Sequence, residues 1–237
     1  MPTRSLSAIF ALMLLLTLLL PLAACVGQQG GRTTTVAPAG EYATINTAPA
    51  MALMKRLHST SASTRDAAIR EVLAKPQSVM PTVLYALSAA LFAKGEKDDA
   101  AFWFYAGQLR ARYDANRCAD VSARQAVAVL NQNYGPPINQ YAFQDIPKLK
   151  KLIPMVVEWE EKTPHDYDHR WINLHGMGAM MRSFGDDKTT KPLSLPEADW
   201  PRIGMETRET YLRGFNEALE QMEARAAATP AAQPAAN

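Results

Sequence analysis

The chain has little cysteine: two residues, Cys25 and Cys118, in 237. That excludes a disulfide-built scaffold, so a packed core has to supply the stability. Charge of one sign is missing too, with 25 Lys and Arg against 23 Asp and Glu and a formal net charge of +2. With no basic run and no arginine-rich helix, nothing points to nucleic acid as a partner. Gly-rich phosphate loops, a GxSxG elbow, a CxxC pair and an HExxH signature are all absent. The apolar run from Ala8 to Leu20 is broken by Thr17 and ended by Pro21. It falls short of the roughly 20 residues that a membrane-spanning helix needs.

What that run does fit is a secretory signal over residues 1–24: one basic residue, Arg4, then the apolar stretch, then small residues before a cut. Leu22-Ala23-Ala24-Cys25 resembles the lipobox of bacterial lipoproteins. The resemblance implies cleavage before Cys25, lipidation of its thiol and acylation of its new amine, an anchor of several chains. Val26, where many inner-membrane lipoproteins carry aspartate, implies an outer-membrane protein facing the periplasm. The chain as a whole resembles uncharacterised proteobacterial lipoproteins, a resemblance that supplies no activity. With Cys25 given to lipid, Cys118 has no internal disulfide partner, and burial is its expected state.

Residues 25–48 are rich in Gly, Thr, Ala and Pro, and read as a flexible tether. Residues 224–237 read as a frayed Ala/Pro tail. The body between, 49–223, has the period of helices throughout, so the predicted class is all-α. Helices are expected from Thr64 or Asp66 to Leu73, from Pro81, and across Ala100–Tyr113 after a turn at Ala93–Asp99. Others follow Asp120 up to a break at Gly135-Pro136-Pro137, and run from Asp145 with a kink at Pro154. A further helix is expected to start at Thr163-Pro164, and the last at Trp200-Pro201. Leu84, Leu87, Ser88, Leu91, Gly95, Ala100, Phe104 and Gly107 sit where a tetratricopeptide or Sel1-type helical hairpin places its large, small and turn residues. Residues 82–113 therefore resemble one such unit, which implies two close antiparallel helices and a protein-binding face.

Three of the four histidines fall in "TPHDYDHRWINLH". On a helix starting at Thr163, His165 and His169 share a face at the spacing of two zinc ligands. Glu158, Glu161 or Asp186 could complete the set. The same histidines could equally serve as hydrogen-bonding groups at a core edge, with Asp166 and Asp168 complementing the helix start. Phe102, Trp103, Phe104 and Tyr105 are consecutive and must point all round their helix. Trp103 and Tyr105, with Arg110, Arg112 and Arg117 beyond them, have the composition of a protein-binding hot spot, or of a helix central to the fold. Met177, Met180 and Met181 lie on one side of a helix, with Gly176 and Gly178 as points of close approach. Two functions follow. One is a non-catalytic lipoprotein that binds another protein, as an immunity protein against a secreted toxin or as an envelope scaffold. The other is an envelope hydrolase using zinc on His165 and His169.

Overall fold

The computed structural model describes residues 37–185 and 192–228. The signal, the lipobox and the first half of the expected tether lie outside the described residues. The described residues form eight α-helices: α1 Ala48–Leu57, α2 Ala62–Ala74, α3 Pro81–Lys94, α4 Lys97–Arg117, α5 Gln125–Ala142, α6 Ile146–Lys162, α7 Met177–Ser183 and α8 Trp200–Ala228. There is no strand among the described residues, only an isolated bridge between Cys118 and Ser194. The class is all-α, and no described helix is long and apolar enough to cross a membrane.

The expected hairpin is α3 and α4. Gly95 closes α3 with a φ of 89°, a left-handed turn in which glycine meets no steric penalty. Gly107 brings the helices together: a Cβ there would stand 3.1 Å from Leu84 Cβ. Central to the fold is α4, which packs on α3, α5, α6 and α8. Its aromatic run divides accordingly. Phe104 and Tyr105 are buried, while Phe102 and Trp103 lie half-buried edge-on to Trp159 of α6.

Four expectations about organisation change. The triplet Gly135-Pro136-Pro137 does not end α5, which runs on to Ala142. The two prolines deprive only the carbonyls of Gln132 and Asn133, both exposed, and water can serve those. Gly135 is instead a packing device, since a Cβ there would approach Phe104 Cζ to 3.1 Å. The described end of the span expected as tether does not read as one, because Tyr42 and Ile45 pack with Ala179 and Leu193 in a small second cluster. Residues 224–228, expected as the start of a frayed tail, are helical, as α8 extends to Ala228. Finally, no helix starts at Thr163. Arg110 Nη2 takes the carbonyls of Thr163 and Pro164 at 3.0 and 2.9 Å, the acceptors that a first helical turn would need. The Asp166 amide goes to Gln77 O, and the segment stays extended up to a 3-10 turn at His169–His175.

Candidate functional site

The histidines are therefore dispersed. His165 Nε2 lies 3.0 Å from Glu160 Oε1, and Arg208 of α8 donates to Glu160 Oε2 at 3.1 Å. Burial raises the Glu160 pKa, but His165 and Arg208 outweigh it and hold the carboxyl below its ordinary range. His169 shares a hydrogen bond with Ser194 Oγ at 2.7 Å and packs edge-on against Trp200 at 4.7 Å. The two imidazoles sit on an extended segment and a 3-10 turn, with different partners. No group of three or more His, Cys, Asp or Glu side chains placed to hold a metal occurs among the described residues. The shared helical face that made His165 and His169 a zinc pair does not exist.

Burial, and after it the charge of Arg117, pushes the His169 imidazole down to about 4. The folded ring stays neutral where the unfolded ring, near 6.5, takes a proton, so stability falls as pH drops from about 6.5 towards about 4. For a partly exposed ring the loss between about pH 7 and about pH 5 should be on the order of 1–2 kcal/mol. His169→Gln should flatten that dependence in urea titrations at the two pH values. Equal slopes for variant and wild type would refute it.

Next to His169 lies the most heavily buried polar cluster. Asp114 is fully buried; its Oδ1 accepts from Arg117 Nη2 at 2.7 Å, and its Oδ2 from Trp171 Nε1 at 2.7 Å and from the Tyr167 hydroxyl at 3.0 Å. Arg117 lies over the rings of Tyr113 and Trp200. Arg110, also fully buried, stacks on Trp159 at 4.4 Å. Tyr105, Arg110 and Arg117, expected on a binding surface, are thus core groups. They hold α4 to α6, α8 and the segment after α6, where no partner can reach them. Cys118 is buried as well: its thiol donates to Asn173 Oδ1 at 2.9 Å, and burial pushes its pKa up to about 11, so it is an inert thiol.

Arg112 alone of the three arginines faces outward, and it lines a broad concavity. Between α5 and α8, floored by α4, runs an open groove of about 700 Å³. Val127, Leu195, Ile203 and the Tyr211 ring give it an apolar lining, and Arg112, Arg124 and Arg202 set three guanidiniums against one carboxylate, Glu206. Arg202 is occupied by Glu206 and Asp199. Arg112 and Arg124 have no carboxylate partner among the described residues, although Arg112 lies 5.4 Å over the Tyr211 ring.

A chain of side-chain hydrogen bonds fixes the walls. Gln108 of α4 donates to Asn131 Oδ1 of α5 at 2.9 Å and accepts from the Tyr211 hydroxyl of α8 at 2.8 Å. Tyr85 of α3 also donates to Asn131, at 2.7 Å.

The chain matches no protein-family model, no curated protein and no solved structure. Geometry alone carries the function. Sequence reasoning reached Arg112 but missed Arg124, Arg202 and Asn131. Ile203 and Tyr211 fall at helical spacing along α8 and look in sequence like ordinary core positions. No local pattern marks residues on α5 and α8 as neighbours across a gap, since that gap is made by how both lean on α4.

Proposed function

We infer that this chain is a lipid-anchored, periplasm-facing outer-membrane protein that binds another protein and has no catalytic centre of its own. The observation that carries the binding reading is the α5/α8 groove. Its walls carry the apolar side chains of Val127, Leu195, Ile203 and Tyr211, and Arg112 and Arg124 line it with no carboxylate partner among the described residues. Its volume is in the ~300–1,000 Å³ range of binding sites, and its openness suits a segment of a larger partner more than an enclosed small molecule. An amphipathic stretch carrying Asp or Glu beside apolar anchors, as in helix-in-groove recognition, meets both the lining and the charge. The anchor rests on the lipobox resemblance of Leu22-Ala23-Ala24-Cys25.

Two versions share this surface. An immunity protein occupies the groove with a toxin; an envelope scaffold occupies it with a resident protein. The dispersal of His165 and His169 lends nothing to the zinc-hydrolase alternative. The test is a photo-crosslinking amino acid placed at exposed Ala128 in the groove and, as a control, at exposed Leu73 on α2, in cells carrying the full chain. An adduct at Ala128 alone is the expected result. Mass spectrometry of that adduct then separates a toxic secreted hydrolase from an envelope component. Identical patterns at both positions, or none at Ala128, remove the groove as the binding surface.

A further inference from the structure

Helix α7 shows Met177, Met180 and Met181 to solvent, with Phe184 just past its end, at 52%, 43%, 40% and 60% exposure. Their spacing puts all four on one face, opposite buried Ala179. Single apolar residues are ordinary on a surface; four large ones together on one short helix mark a contact face. The face is held outward by design of the seat. Asp120 Oδ2 takes the Gly178 amide and Ser122 Oγ the Met177 amide, both at 2.8 Å. A Cβ at Gly178 would stand 2.6 Å from the Tyr42 hydroxyl, so only glycine lets α7 lie this close to the body.

The described chain begins beside this helix. The Ser183 hydroxyl donates to Ala37 O at 3.0 Å, and Gly40 backs against the Arg182 side chain. The first described residues thus lie against α7. Cys25 to Val36 is twelve residues, which covalent geometry limits to a reach of at most about 40 Å. After Cys25 that segment, VGQQGGRTTTV, holds two apolar residues, Val26 and Val36, too few to cover four large side chains.

We propose that the Met177, Met180, Met181 and Phe184 face of α7 rests on the phospholipid bilayer in which Cys25 is anchored. The proposal depends on the lipid anchor inferred above. The anchor keeps α7 within a short tether's length of the membrane surface, where an amphipathic helix buries its apolar face at the headgroup–acyl boundary. Unbranched methionines adapt to a fluid surface better than shape-demanding side chains do.

The test uses the full lipidated chain, reconstituted into phosphatidylethanolamine/phosphatidylglycerol vesicles. An environment-sensitive fluorophore is attached at M181C, or for comparison at M155C on α6, where Met155 is 56% exposed. Buried Cys118 stays unlabelled. The expected result is quenching at 181 by lipids bearing doxyl groups, at least about threefold stronger than at 155, with protection from aqueous iodide. Protection from iodide without doxyl quenching means that protein, a second copy for instance, covers the face, and overturns the proposal. Free access to iodide overturns it too. Mass spectrometry of the N-terminal peptide separates the two layers. An acylated Cys25 with an unquenched label defeats the α7 contact alone, whereas an unacylated chain that fails to float with vesicles defeats the anchor and the contact together.

Discussion

Replacing Asp114 with alanine is expected to cost about 3–5 kcal/mol, the loss typical of removing one partner of a buried ion pair. The reason is what remains. Arg117, whose side chain is 5% exposed, would keep its charge without a carboxylate, over the Tyr113 and Trp200 rings. The Trp171 indole N–H and the Tyr167 hydroxyl would lose their acceptor as well, and an unsatisfied buried donor costs about 1–3 kcal/mol. Against a total stability of about 5–15 kcal/mol, such a loss leaves the fold marginal at best. Asp114→Asn keeps an acceptor and should lose less. Replacing the pair together, Asp114→Leu with Arg117→Met, should recover much of the loss, because the desolvation penalty of both charges disappears with them. Urea unfolding of the three variants reads this directly. A single Asp114→Ala variant within about 1 kcal/mol of wild type would show that the cluster carries little of the stability.

The second large effect belongs to the groove. Reversing both charges, Arg112→Glu with Arg124→Glu, should weaken binding of the crosslinked partner by about 100-fold or more, equivalent to about 3 kcal/mol. Two attractive rim charges become repulsive ones facing an acidic segment, so a slower association rate and an inverted salt dependence should accompany the loss. The fold itself should hardly notice. Both side chains are exposed, and the Arg112 contact with the Tyr211 ring is worth at most about 1 kcal/mol at such a site. Titration calorimetry at two salt concentrations measures it. Wild-type affinity in the double variant would mean that the partner does not read this charge.

The helical class was legible because period and turn chemistry agreed over α3 and α4: apolar residues at Leu84, Leu87 and Leu91, then Gly95 where the chain must turn left-handed. The close approaches at Gly107, Gly176 and Gly178 were legible for the same reason, since glycine in a helical context marks contact. What misled was local chemistry overridden from afar. Thr163-Pro164 has the residues of a helix start, yet Arg110, fifty-three residues earlier, claims the carbonyls. Gly135-Pro136-Pro137 has the residues of a helix stop, yet the carbonyls it strands are exposed and the packing against Phe104 rewards continuation. The arginines misled differently. Composition could not say which of Arg110, Arg112 and Arg117 faced inward, because α4 is surrounded on most sides.

Gln108 has a consequence for how the groove would take an occupant. One amide holds Asn131 of one wall and Tyr211 of the other, so neither wall can shift without straining the second. A partner that stills α8 at Tyr211 also quietens α5 at Asn131, and the entropy lost at first touch is then not lost again along the opposite side. Occupation across the groove should be cooperative, with the two walls exchanging their amide hydrogens slowly together rather than one after the other.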